Sequence, residues 1–285
     1  GATVINSGTV TTSLGQTFND AVTSTANAFN SSAIVFGSTS TFNAATTTIS
    51  TGSANFVGAS DFAGGNAVID ASGDVAFDTT LDVAGTTDFD SANTTFSGIV
   101  TLGDDATVTT SGNTTFRAVV NGAATVDLLV EADGTGSFSG GAIGSLLTSP
   151  NGRSEFAADM TFTGAADTTI GDRVLLTENV VFTTTGSGNF VVNSSIDSES
   201  GEANTLGLVL TQGDAFINGD VGNDGLGGLS NDAGLGAINV SGNGELFLGN
   251  RSNPAAGLTS LLYYDPSSDA TGTELQGNSS HDLTL

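Results

Sequence analysis

The chain has 285 residues, of which 30 are Asp or Glu, 4 are Arg, 1 is His and none is Cys, for a net charge of -26. This balance argues against an electropositive groove for nucleic acid and against attraction to an anionic membrane surface. It also excludes a Cys/His nucleophile or a zinc cluster of ordinary ligands.

The 40 Gly and the abundance of Ser, Thr and Asn disfavour helix, whereas Thr, Val, Ile and Phe favour strands. Disorder is the rival for a Gly/Ser-rich chain, but 38% of the residues are apolar and they recur at regular positions. No apolar run reaches the roughly 20 residues that span a bilayer, so no membrane insertion is expected.

In chain order, the first regular feature is a phenylalanine that returns about every 20 residues: Phe36, Phe56, Phe77, Phe96, Phe116 and Phe138, with spacings of 20, 21, 19, 20 and 22. The series is expected to run on through Phe162 and Phe182, again 20 apart. A second apolar position lies six residues after the marker, at Phe42, Phe62, Val83 and Leu102, and a third about thirteen after it, at Ile49 and Ile69. Gly precedes the marker by four residues at Gly52, Gly73, Gly112 and Gly134, and the same spacing separates Gly186 from Phe190.

Around these markers apolar residues sit two apart with Thr, Ser, Asn or Asp between them, as in Ile34/Phe36, Val75/Phe77 and Leu81/Val83. That period predicts half-buried strands, punctuated by turns at Gly, Asn and Asp. A unit of this length cannot bury a core alone and is stable only when stacked on copies of itself. The reading is an all-β parallel β-solenoid, continuous over 1–285, with coils of about 20 residues and the six phenylalanines as an internal ladder. Fourteen such coils, about 4.8 Å apart, make a rod of roughly 65 Å. An antiparallel sandwich is the competing architecture, but it does not demand a fixed period held over six phenylalanines.

The second half carries a longer echo. Asp127-Leu128-Leu129-Val130 leads into Gly136-Ser137-Phe138, and further along Gly207-Leu208-Val209-Leu210 leads into Gly213-Asp214-Ala215-Phe216. Asp282-Leu283-Thr284-Leu285 begins the motif again. A chain that stops inside a repeat reads as part of something longer, because a bare coil exposes apolar surface and unpaired backbone.

These segments, of the form D-L-T-L followed by G-x-V-x-F-x-G-x-V-G, resemble the β-strand repeats of filamentous-haemagglutinin-like large exoproteins of Gram-negative bacteria. The resemblance covers residues 126–285; residues 1–125 share only its Gly/Thr/Asn-rich style. It implies a right-handed parallel β-helix, export to the cell surface, and adhesion or fibre building. No secretion domain of that family is recognisable near the start.

Chemistry is sparse. His281 reads as a surface residue. Arg117, Arg153, Arg173 and Arg251 show no clustering in sequence that would hold an acidic sugar. The segment from Gly222 to Asp232 is similar to the Gly/Asp-rich nonapeptide of calcium-binding β-rolls, with Asp224 and Asp232 as candidate ligands, although these two stand one position closer together than that repeat requires. Calcium is the one cofactor considered. Residues 253–268 hold Pro254, Pro266, Tyr263 and Tyr264 and predict either a protruding contact loop or a cover over a coil edge.

The expected function is an extracellular structural fibre or stalk with no catalytic residues, self-associating end to end. An adhesin gripping cell-surface glycan or protein is the alternative, and a polysaccharide-active β-helix enzyme the second alternative.

Overall fold

The computed structural model describes residues 1–6, 8–149, 151–199, 202, 204–219, 221, 237–242, 246–249 and 261–264. The chain winds through three short strands and then repeats: β1 (Ala2–Ile5), β2 (Thr9–Thr11) and β3 (Gln16–Phe18) are followed by Ala21–Ser24, which pairs parallel with β1. As far as Ala215–Ile217, every third strand joins the same sheet.

Among the described residues, sheet A, founded by β1, has 12 strands; sheet B, founded by β2, has 13; and sheet C, founded by β3, has 10. All neighbours in the stack are parallel until the last, where Leu246–Gly249 pairs antiparallel with Leu261–Tyr264. The fold is therefore a parallel β-solenoid, and the sandwich is ruled out.

The core follows from alternation on three faces. In sheet C the inward position is Phe18, Phe36, Phe56, Phe77, Phe96, Phe116, Phe138 and Phe156, each the register partner of the next. Successive rings stack 4.5–5.4 Å apart, with interplanar angles of 7–15°. Sheet A contributes Phe42, Phe62, Val83 and Leu102; sheet B contributes Phe29, Ile49, Ile69, Phe89 and Val108. All of these side chains except the partly buried Phe18 are buried, and burial of one such group is worth roughly 1.5–3 kcal/mol.

The corners explain the Asn and Asp content. Side-chain oxygens of Asn93, Asn113, Asp159, Asp167 and Asn189 each accept the backbone N–H of a residue one coil ahead, at 2.7–3.0 Å. Amides at the corners and at strand entries are satisfied in this way. Gly52, Gly73 and Gly112 stand at the corner entering sheet C, where a Cβ would strike the coil beneath.

Three expectations change. Phe162 and Phe182 belong to sheet A, while the sheet C column passes from Phe156 to Leu176 and Ser198. The coil lengthens there, Met160 pairing with Phe182, and the marker moves to another face. The Gly186–Phe190 spacing likewise belongs to the corner between sheets A and B.

The longer echo of the second half is not a structural repeat: Asp127–Ala132 lies in sheet B and Thr205–Leu210 in sheet A. Phe138 points into the core, while Phe216 at the matching sequence position is half-buried on an outward site. Among the described residues, ten coils contribute to all three sheets and two more to sheets A and B. Register steps in sheet A are 18–21 residues from Val22 to Met160, then 22, 26 and 32 to Phe182, Leu208 and Val240. Twelve strands span about 53 Å at about 4.8 Å each.

Candidate functional site

The stack decides which distant residues meet, because a residue sits over the one a coil earlier. The clearest result is on the outer face of sheet C. Arg153 and Arg173, one coil apart, are register partners. Arg153 pairs with Glu155 on its own strand, and the Arg173 Nε donates to Asp197 Oδ2 at 3.3 Å, one coil ahead.

The two arginines differ by one coil length, a spacing that reads as proximity only once the winding is known, since along the chain the charges look scattered. Leu175 and Asp197 occupy outward register positions between and beside these charges, yet are only 5% and 1% exposed. A buried carboxylate needs its cation, and Arg173 supplies it from one coil earlier. Each of these two guanidinium groups is thus paired with a carboxylate.

A second polar cluster lies inside the corner between sheets B and C. Asp172 is buried, and its Oδ1 accepts the hydroxyls of Thr148 at 2.6 Å and Ser154 at 2.8 Å. Burial pushes its carboxyl above the usual carboxylate range, and the two hydroxyls act against that shift. Lower in the same corner the inward polar pairs are hydroxyls only: Ser91 with Thr94 at 2.7 Å and Thr110 with Thr114 at 3.1 Å. Asp172 is thus the charged member of an otherwise neutral polar column.

On the outside of sheet A, Asp61 and Asp82 are register partners. Partial burial, with the Asp82 charge adding to it, raises the Asp61 carboxyl. Among the described residues, no three His, Cys, Asp or Glu side chains converge to hold a metal ion. A shallow groove lined by Asp74, Asn93, Asn113, Thr95 and Thr115 runs outside sheet C. There the Asn93 amide donates to Asp74 Oδ1, and the Oδ1 atoms of Asn93 and Asn113 accept the backbone N–H groups of Asn113 and Thr135.

The other residues singled out in the sequence fall as follows. Phe36, Phe56, Phe77, Phe96, Phe116 and Phe138 form one buried column. Tyr263 and Tyr264 lie in Leu261–Tyr264, the antiparallel strand on the edge of sheet B, with Tyr263 registered to Phe247. Of residues 253–268 only that strand is described. Asp224, Asp232, Arg251 and His281 lie outside the described residues.

No family model, curated protein or solved structure matches the chain.

Proposed function

We propose that the protein is a structural spacer of an extracellular bacterial fibre or stalk, carrying load along the axis of its coils. One observation carries the reading: three parallel sheets share one unbroken core with an in-register phenylalanine column. Backbone hydrogen bonds between coils run along the rod, so tension is borne by many bonds in parallel at each coil. The resemblance to filamentous-haemagglutinin-like repeats supports export to the cell surface, and the acidic Thr/Asn exterior supports solubility of so long a surface.

The first coil presents unpaired strand edges. Its Ile5, Val10 and Phe18 are only partly buried, and Val4 and Leu14 are 64% and 75% exposed.

Pulling the protein between its termini in optical tweezers tests the proposal. Peeling one coil of about 20 residues releases about 65 Å of contour, at about 3.4 Å per residue. A sawtooth with that step supports a load-bearing rod. Collapse of the whole rod at a force too low to show steps contradicts it.

A further inference from the structure

The outer face of sheet B changes character along the rod. One outward register column reads Val68, Asp88, Thr107 in the lower coils. Above them it reads Leu129, Leu147, Thr169, Val191 and Phe216. Leu147 is 39% exposed, and Leu129, Val191 and Phe216 are half-buried. Thr, Asn, Ser or Asp fills most other outward positions in the stack, so four apolar residues in five coils form a stripe. At four steps of about 4.8 Å it is about 19 Å long. The register column continues through Phe247 to Tyr263 on the closing antiparallel strand.

The border of the stripe at the start of each strand is acidic, and Glu131 adds one acid on the other side. Asp127 and Glu131 flank Leu129, Asp167 lies beside Thr169, and Asp214 beside Phe216. The three described arginines, Arg117, Arg153 and Arg173, lie on or next to sheet C, so the charged flanks among the described residues are acidic. A second copy laid face to face would oppose like charges, and an anionic lipid surface would be repelled in the same way. The chemistry that fits is apolar at the centre and cationic chiefly along the edge that carries Asp127, Asp167 and Asp214.

Spacing selects its shape. Rungs repeat every ~4.8 Å, close to the ~5.4 Å pitch of an α-helix, while alternate side chains of an extended strand fall ~6.7 Å apart. We infer that this face of sheet B docks a basic amphipathic helix of a partner protein, lying along the rod axis with one apolar residue per turn on the stripe and Lys or Arg over the acidic border. The inference is independent of the load-bearing role.

The test uses the whole chain and a labelled helical peptide of five turns, with Leu once per turn and Lys on both flanks. A scrambled peptide of the same composition removes the apolar face while keeping the charge. Fluorescence anisotropy should give a Kd at least tenfold tighter for the patterned peptide. The triple variant Leu129→Thr, Leu147→Thr, Val191→Thr should lose that tenfold and keep the wild-type melting temperature, since Thr already stands in this column at Thr107 and Thr169.

Equal affinity for the two peptides, or unchanged binding by the triple variant, overturns the inference. Sedimentation that shows wild-type self-association abolished in the triple variant also overturns it, because the occupant is then a second copy.

Discussion

Removing one ring from the phenylalanine column should cost far more than removing a phenylalanine elsewhere. Phe77 is buried, with Phe56 stacked 4.5 Å below it at 8° and Phe96 stacked 5.3 Å above it at 7°. Phe89 of sheet B adds a third ring at 5.6 Å. Truncation of a fully buried Phe to Ala costs about 3–5 kcal/mol in transfer and cavity terms.

Phe77→Ala is expected near the top of that range, because ring partners on both sides lose stacking worth about 0.5–1.5 kcal/mol per pair. Phe216, half-buried on the outside of sheet B, sets the comparison: Phe216→Ala is expected to cost about 1 kcal/mol. Guanidinium unfolding followed by far-UV circular dichroism measures both.

In a stack stabilised through nearest neighbours, a gap at one coil also weakens coupling between the coils on either side. The Phe77→Ala transition should therefore broaden or split, with the lower segment unfolding separately. A loss below about 1 kcal/mol, or no larger than for Phe216→Ala, refutes the continuous aromatic spine.

Further outcomes follow from the polar positions and corners. Asp172→Asn should stabilise the protein at pH 8 and have little effect near pH 4. A carboxyl raised in the folded state contributes stability below its unfolded pKa and loses it as pH rises through the folded value; thermal melts across pH check this. Thr148→Val and Ser154→Ala should each cost about 1–3 kcal/mol at neutral pH, since each removes a donor to a buried acceptor. Asp61→Asn should give a gain of roughly a few tenths of a kcal/mol at pH 7, reduced for solvent screening and lost on acidification, by relieving repulsion from Asp82. Gly186→Ala should cost about 2 kcal/mol or more, because its Cβ meets the backbone carbonyl of Gly164 in the coil below; denaturant melts give the value.

The coil was legible because one large residue type marks one face for six consecutive turns. Phe36, Phe42 and Ile49 stand on sheets C, A and B in a single winding, and the same offsets return at Phe56, Phe62 and Ile69. The phase was lost near residue 160 for a physical reason. All three faces use the same alternating apolar pattern, so a strand's sequence does not name its sheet, and a corner can lengthen without disturbing the strands. Phe162 and Phe182 therefore looked like continuations while lying on sheet A.

Charge clustering was hidden in the same way. Arg153 and Arg173 become neighbours only after the winding is known, as do Asp61 and Asp82. The apolar stripe on sheet B was equally invisible, since Leu129, Leu147, Val191 and Phe216 meet only through register. In sequence, Leu129 and Phe216 look like ordinary core residues of an apolar run.

Spin labels test the parallel winding itself most directly, and the absence of Cys makes paired labelling clean. Thr23, Thr41, Asp61, Asp82, Thr101, Asn121, Ala142 and Thr161 form one outward column on sheet A. Labels at Thr23→Cys with Thr101→Cys are four rungs apart, about 19 Å, and labels at Thr23→Cys with Thr161→Cys are seven rungs apart, about 34 Å. Double electron–electron resonance should find the second distance longer by about 14 Å, the label arms cancelling in the difference. Two equal distances would contradict the winding, because strands folded back against one another do not add one rung with each coil of sequence.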